Sequence, residues 1–111
     1  MQLFEESSLN EVKNKAFLTY VEWGPKLLTS REQRLSEEFP EVAADVRATW
    51  IEEFKSVNSE IWKVAEEGGP KSYTYETFAK RMSTSFPFMN QVALERAWFL
   101  VGYFAWREGY R

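Results

Sequence analysis

The sequence predicts an all-α fold: a single-domain bundle of four to five helices around an apolar C-terminal helix at about 90–107, with a long helix at about 40–66. Three observations predict it. Residues Val92 to Trp106 read VALERAWFLVGYFAW, and only Glu95, Arg96 and Gly102 interrupt the apolar and aromatic positions. A helix apolar nearly all round belongs in the middle of a domain, with other helices on several of its faces. Val42, Val46, Trp50, Phe54, Val57, Ile61 and Val64 advance by three or four residues at a time, the mark of one buried helix face. No period-two alternation or hairpin signal runs over a useful length. The 111 residues suffice for one domain with a real core, so the expected organisation is a single helical domain over 1–111. The sequence shows no repeat, low-complexity tract or interdomain linker.

Taken in order, Ser8-Leu9-Asn10-Glu11 has the capping-box pattern, and Leu9, Val12, Ala16, Tyr20 and Trp23 follow at helical spacing. The spacing predicts a first helix from about Leu9 to Glu22, stopped by Gly24-Pro25. Leu3 and Phe4 are expected to fold back onto the core. Thr29-Ser30-Arg31-Glu32-Gln33 holds two overlapping capping boxes and predicts a short second helix to about Glu38. Pro40 suits the first turn of a new helix, because the amide it lacks would be unpaired there. The third helix is expected from Pro40 to about Glu66, either separate from the second or one helix with it, kinked at Pro40. A weaker stripe of Ala44, Ala48, Ile51 and Trp62 lies roughly opposite the main one. Internal packing is its favoured explanation, since small alanines let helices approach closely; a docking surface is the other. Glu41, Asp45 and Glu52 form an acidic ridge along one edge.

Gly68-Gly69-Pro70 ends the long helix with residues that tolerate left-handed dihedrals and forbid continuation. Thr74 caps a fourth helix carrying Tyr75, Phe78, Ala79 and Met82. Pro87 centres a turn in which Phe86, Phe88 and Met89 plug the end of the core, and Gly109 closes the fifth helix. Trp23, Trp50, Trp98 and Trp106 read as core; Trp62, off the main stripe, is balanced between core and interface anchor.

Composition excludes much chemistry. The chain has no cysteine and no histidine, which removes disulfides, thiolate catalysis, thiolate zinc sites and the commonest general base and metal ligand. Its first residues, MQLFEESSLNEV, place acids where a signal peptide needs a basic region and an apolar run, so a cytoplasmic protein is expected, with no membrane association. The net charge of −3 is unevenly spread: residues 32–67 hold ten acids and four bases, and residues 68–111 three acids and six bases. An acidic middle repels phosphate backbones, so no nucleic-acid partner is expected, while a basic protein partner would be attracted.

The serines cluster at caps and turns, with no Gly-x-Ser-x-Gly elbow and no Gly-rich phosphate loop. Only an all-carboxylate metal site could exist, suited to magnesium or manganese. Glu37, Glu38, Glu41 and Asp45 are clustered, and Glu38 and Glu41 have a Glu-x-x-Glu spacing. That resembles half of the pattern in all-helical nucleotide pyrophosphatases; the second half, a later Glu-x-x-Asp, is absent. Elimination favours a binding protein with no enzymatic activity, cofactor or metal.

In size, acidity, helical content and the aromatic-rich last helix ending AWFLVGYFAWREGY, the chain resembles the small acidic helical immunity proteins that bacteria make against secreted toxins. The resemblance implies stoichiometric capture of a toxin domain in the cytoplasm. A basic toxin cleft would meet the ridge, with Glu41, Asp45 and Glu52 as steering charges and Trp62 as an anchor. Three alternatives stand beside it: a magnesium-dependent all-α nucleotide hydrolase using the carboxylate cluster, a phage-encoded inhibitor of a host defence protein, and a self-associating helical adaptor whose second stripe pairs in a homodimer.

Overall fold

The computed structural model describes residues 6–21 and 30–108. Among them the chain is all-α, with no strand: α1 (Glu6–Tyr20), α2 (Arg31–Glu38), α3 (Ala44–Glu66), a single 3-10 turn (Gly69–Lys71), α4 (Tyr75–Ser85) and α5 (Gln91–Glu108). The expectations for Leu3, Phe4, Trp23, Gly24-Pro25 and Gly109 lie outside the described residues. No helix among the described residues is long and apolar enough to cross a membrane. The contacts divide the chain into two units, Met1–Phe54 and Lys55–Arg111.

In the first unit, α1 begins at Glu6, so Ser8 lies inside the helix and is not its cap. No glycine or proline stands between Glu5 and Ser8 to hold the start back to Leu9. The inward side of α1 carries Ala16, Phe17 and Tyr20, all buried. Phe54 meets Phe17 edge-on and Tyr20 at a tilt, each at 5.6 Å between ring centres. Such arrangements bring the positive ring edge to the negative face. α1 also packs on α2, whose Leu35 is buried. Ser30 caps α2 as expected, its hydroxyl accepting from the Gln33 amide at 3.0 Å.

α2 and α3 are separate helices, and the expected start of α3 at Pro40 is corrected to Ala44. The Val42 amide donates to the Phe39 carbonyl at 3.1 Å and closes a four-residue turn with Pro40 in its second position. The fixed φ of proline suits that position as well as it suits a helix start. Arg47 holds the turn from above, donating through Nη1 to the Phe39 carbonyl at 3.1 Å and to the Val42 carbonyl. Val42 is buried although it stands outside the helix. The weaker stripe is not packed as expected: Ile51 is buried, but Ala44 and Ala48 are exposed, because no described side chain covers that end of the face.

In the second unit, the continuation of α3 buries Val57, Ile61, Val64 and Ala65. It ends where Gly68 takes φ +118° and Gly69 φ +54°. Those left-handed angles favour glycine, and Gly69 is further confined because a Cβ there would stand 3.0 Å from that of Ala105. Thr74 caps α4 through a reciprocal pair with Thr77, each side chain accepting from the other's amide at 3.1 Å. Asn90 does the same service for α5, its Oδ1 accepting from the Ala93 amide at 2.9 Å. Between α4 and α5, Phe88 and Met89 are buried and Phe86 half-buried.

α5 packs on α4 and on the 3-10 turn, burying Ala93, Leu94, Ala97, Leu100, Val101, Phe104 and Ala105. It is not enclosed on every side, as its composition had suggested. Val92, Phe99 and Trp106 are 57%, 58% and 60% exposed. Trp106 is therefore not a core residue, and Trp98 is only half-buried, against Phe78 at 5.3 Å and Tyr75 at 6.4 Å. The buried residues of α5 occupy one side of the helix; the apolar residues opposite, Val92, Phe99 and Trp106, have no covering layer among the described residues.

Candidate protein-docking surfaces

The acidic residues of the first unit are built outward by two local devices. α2 is short, and burying Leu35 turns Glu32, Glu37 and Glu38 to solvent. The Pro40 turn then lifts Glu41 clear of both helices, and Asp45 stands exposed in the first turn of α3. There its Oδ1 accepts from the Val46 amide at 2.9 Å, and its charge lies at the positive end of the helix dipole. Glu52, two helical turns on, is exposed as well. Glu53 points elsewhere and is held by Lys13 at 2.6 Å.

The ridge is thus real in exposure but not in form. Asp45 and Glu52 share one helical edge, whereas Glu41 belongs to the turn before it. For the same reason Glu38 and Glu41 do not share a helical face: one ends α2, the other lies in the turn. Among the described residues no three carboxylates gather closely enough to hold a metal ion, so Glu37, Glu38, Glu41 and Asp45 make no such site.

The basic residues of this stretch are what sequence reasoning missed. Between Glu32 and Phe54 only Arg34 and Arg47 carry positive charge. Arg34 is 2% exposed, and Arg47 is half-buried with its guanidinium on backbone carbonyls. Both bases turn inward while six carboxylates of the same stretch face water. No spacing in the sequence announces this; it depends on the carbonyls that the Pro40 turn leaves for Arg47.

In the second unit, Trp62 is half-buried and stacked flat on Phe104, with 4.1 Å between ring centres and 6° between planes. Its indole is thus already part of the packing of α3 on α5. A polar cluster also forms here that the sequence did not reveal. Arg81 donates through Nε to Glu60 at 2.7 Å, with Nη2 on the same carboxylate, and through Nη1 to the Tyr73 hydroxyl at 2.6 Å and to Glu67 at 3.2 Å. Tyr73 in turn donates to Glu67 at 2.6 Å. That bond, with Arg81 adding to it, holds the Glu67 carboxyl below its ordinary value; the same bond pushes the Tyr73 hydroxyl up, against the lowering pull of Arg81. The cluster ties the end of α3 to α4 and to the loop between them.

Among the described residues of the unit, the exposed large apolar side chains lie on the outer side of α5. Val92, Phe99 and Trp106 stand seven residues apart, so they line up along the helix. Arg96 lies over the Phe99 ring at 5.4 Å, and Glu95 accepts from Gln91 at 3.0 Å. No protein-family model, curated protein or solved structure matches the chain.

Proposed function

We propose that this chain is a non-catalytic protein-binding module, an immunity protein that captures and neutralises a toxin domain in the cytoplasm. The supporting observation is the one-sided charge of residues 32–53: Arg34 and Arg47 are turned inward while Glu32, Glu37, Glu38, Glu41, Asp45 and Glu52 face water. A surface so arranged carries a net negative charge over this stretch. It favours a partner with a basic cleft and disfavours nucleic acid.

Exposed charges of this kind act mainly on the encounter rate, and desolvated apolar contacts supply the affinity. Glu41, Asp45 and Glu52 would steer. Trp62 would contribute through the edge that its stacking on Phe104 leaves open. The hydrolase alternative has no geometric support, since its four carboxylates do not converge.

The test is an affinity capture from the native host with the wild type beside a Glu41→Gln, Asp45→Asn, Glu52→Gln variant. The partner's association rate is then measured at low and high salt. The expected outcome is one stoichiometric partner with a basic cleft, whose association slows on rising salt and slows in the variant by about tenfold or more. Equal rates for both proteins at low salt would refute the steering role, and an acidic partner would refute the reading as a whole.

A further inference from the structure

The outer side of α5 carries an exposed apolar line flanked by opposite charges. Its centre line is Val92, Phe99 and Trp106, each more than half exposed. Apolar residues at seven-residue spacing fill one of the two positions per heptad along which a second helix, crossing at a shallow angle, packs, so a contact made through them is narrow. The charges beside the line identify that helix. Consecutive residues are about 100° apart around a helix, so Glu95 and Arg96 stand on opposite edges of the strip, at nearly the same height and just before Phe99. Both are exposed. Two copies of α5 laid parallel about a twofold axis bring the left edge of one to the right edge of the other. Glu95 of each, exchanging its contact with Gln91, then faces Arg96 of its mate, whose guanidinium moves off its own Phe99 ring, and Phe99 faces Phe99 between the two ion pairs. A strip with one carboxylate and one guanidinium on its two edges is complementary to itself.

We infer that the chain forms a weak parallel homodimer through this face of α5. The area sets its strength. At roughly 60% exposure, each of the two rings offers about 100–150 Å², and with Val92 the two copies together cover about 700 Å². Stable specific interfaces begin near roughly 1,200 Å². The dimer is therefore concentration-dependent and in rapid exchange. It uses α5 of the second unit and none of the acidic residues assigned to toxin capture, so the two readings stand or fall separately.

The experiment is analytical ultracentrifugation of the pure chain from micromolar to millimolar concentration, with Phe99→Lys, Glu95→Arg, Arg96→Glu and the exchanged double variant Glu95→Arg, Arg96→Glu run alongside. All these positions are exposed, and circular dichroism checks that helix content is kept. The wild type should pass from monomer toward dimer across the range, and Phe99→Lys should stay monomeric. Each single charge reversal sets like charges face to face and should weaken association at least tenfold, and the double variant should restore it. A wild type that stays monomeric throughout, or a Phe99→Lys that associates as the wild type does, would overturn the inference. A double variant no better than the single ones would overturn the parallel pairing.

Discussion

Phe54 and Trp106 are both aromatic residues on helical stripes, and the structure gives them opposite weights. Phe54 has no exposed surface and holds two rings of α1, so Phe54→Ala leaves a cavity as well as losing transfer energy. It should lower unfolding free energy by about 3–5 kcal/mol, read from a urea titration. Trp106→Ala removes a ring that is mostly in water and should cost under about 1 kcal/mol. The sequence could not separate the two, because periodicity reports which residues share a face and not whether that face is covered. Arg34 makes the same point in reverse: a charged residue on a short polar helix reads as solvated, yet it is buried. Glu67 carries a pH signature at this scale. Its folded-state carboxyl titrates below the ordinary value because Tyr73 donates to it. The folded state is thus favoured by deprotonation. The contribution is present above the ordinary carboxylate range and is lost as pH falls through the depressed value. In Tyr73→Phe the Glu67 carboxyl resonance, followed by NMR against pH, should titrate higher than in the wild type and approach the ordinary value. No change would mean that Arg81 alone holds the group.

Helix ends were legible where the stop is chemical and local. Gly68 and Gly69 combine left-handed angles with close approach, and Thr74 and Ser30 cap where their spacing says they should. The start of α3 was not legible, because Pro40 serves a turn and a helix start equally well and the choice is made by Arg47, several residues further on. The acidic ridge inherited that error, since Glu41 counts as a helical neighbour of Asp45 only if the helix begins at Pro40. The Arg81 cluster was hidden for a related reason: its carboxylates lie 21 and 14 residues away from the arginine along the chain. The best-defined element boundary gives a sharp test. At Gly68 an added Cβ would meet Ser72 Oγ at 2.1 Å in a left-handed backbone, a strain of roughly 1–3 kcal/mol. Gly68→Ala should lower the unfolding free energy by about that amount, whereas Ala48→Gly, on an exposed stretch of α3, should cost about 1 kcal/mol through helix propensity alone.

At the scale of the whole molecule, the question is whether a partner senses the net charge or the place where the charge sits. Neutralising Glu41, Asp45 and Glu52 brings the formal charge from −3 to zero. That change alone weakens long-range attraction to any basic partner and also lowers solubility. Slower association in that variant is therefore ambiguous until it is set against a variant with the same net charge. Glu11, Glu66 and Glu76 are exposed carboxylates outside residues 32–53, and replacing all three with glutamine reaches the same zero. Steering by focused local charge predicts that the first variant loses about tenfold or more in association rate at low salt, while the second loses only a few-fold. The two should converge as salt rises past the point where the screening length falls below about 8 Å. Stopped-flow association with the captured partner across a salt series measures both. Equal losses at every salt concentration would show that total charge governs the encounter and that the inward turn of Arg34 and Arg47 serves folding alone. Unequal losses would place the encounter on the carboxylates of the Pro40 turn and the first half of α3.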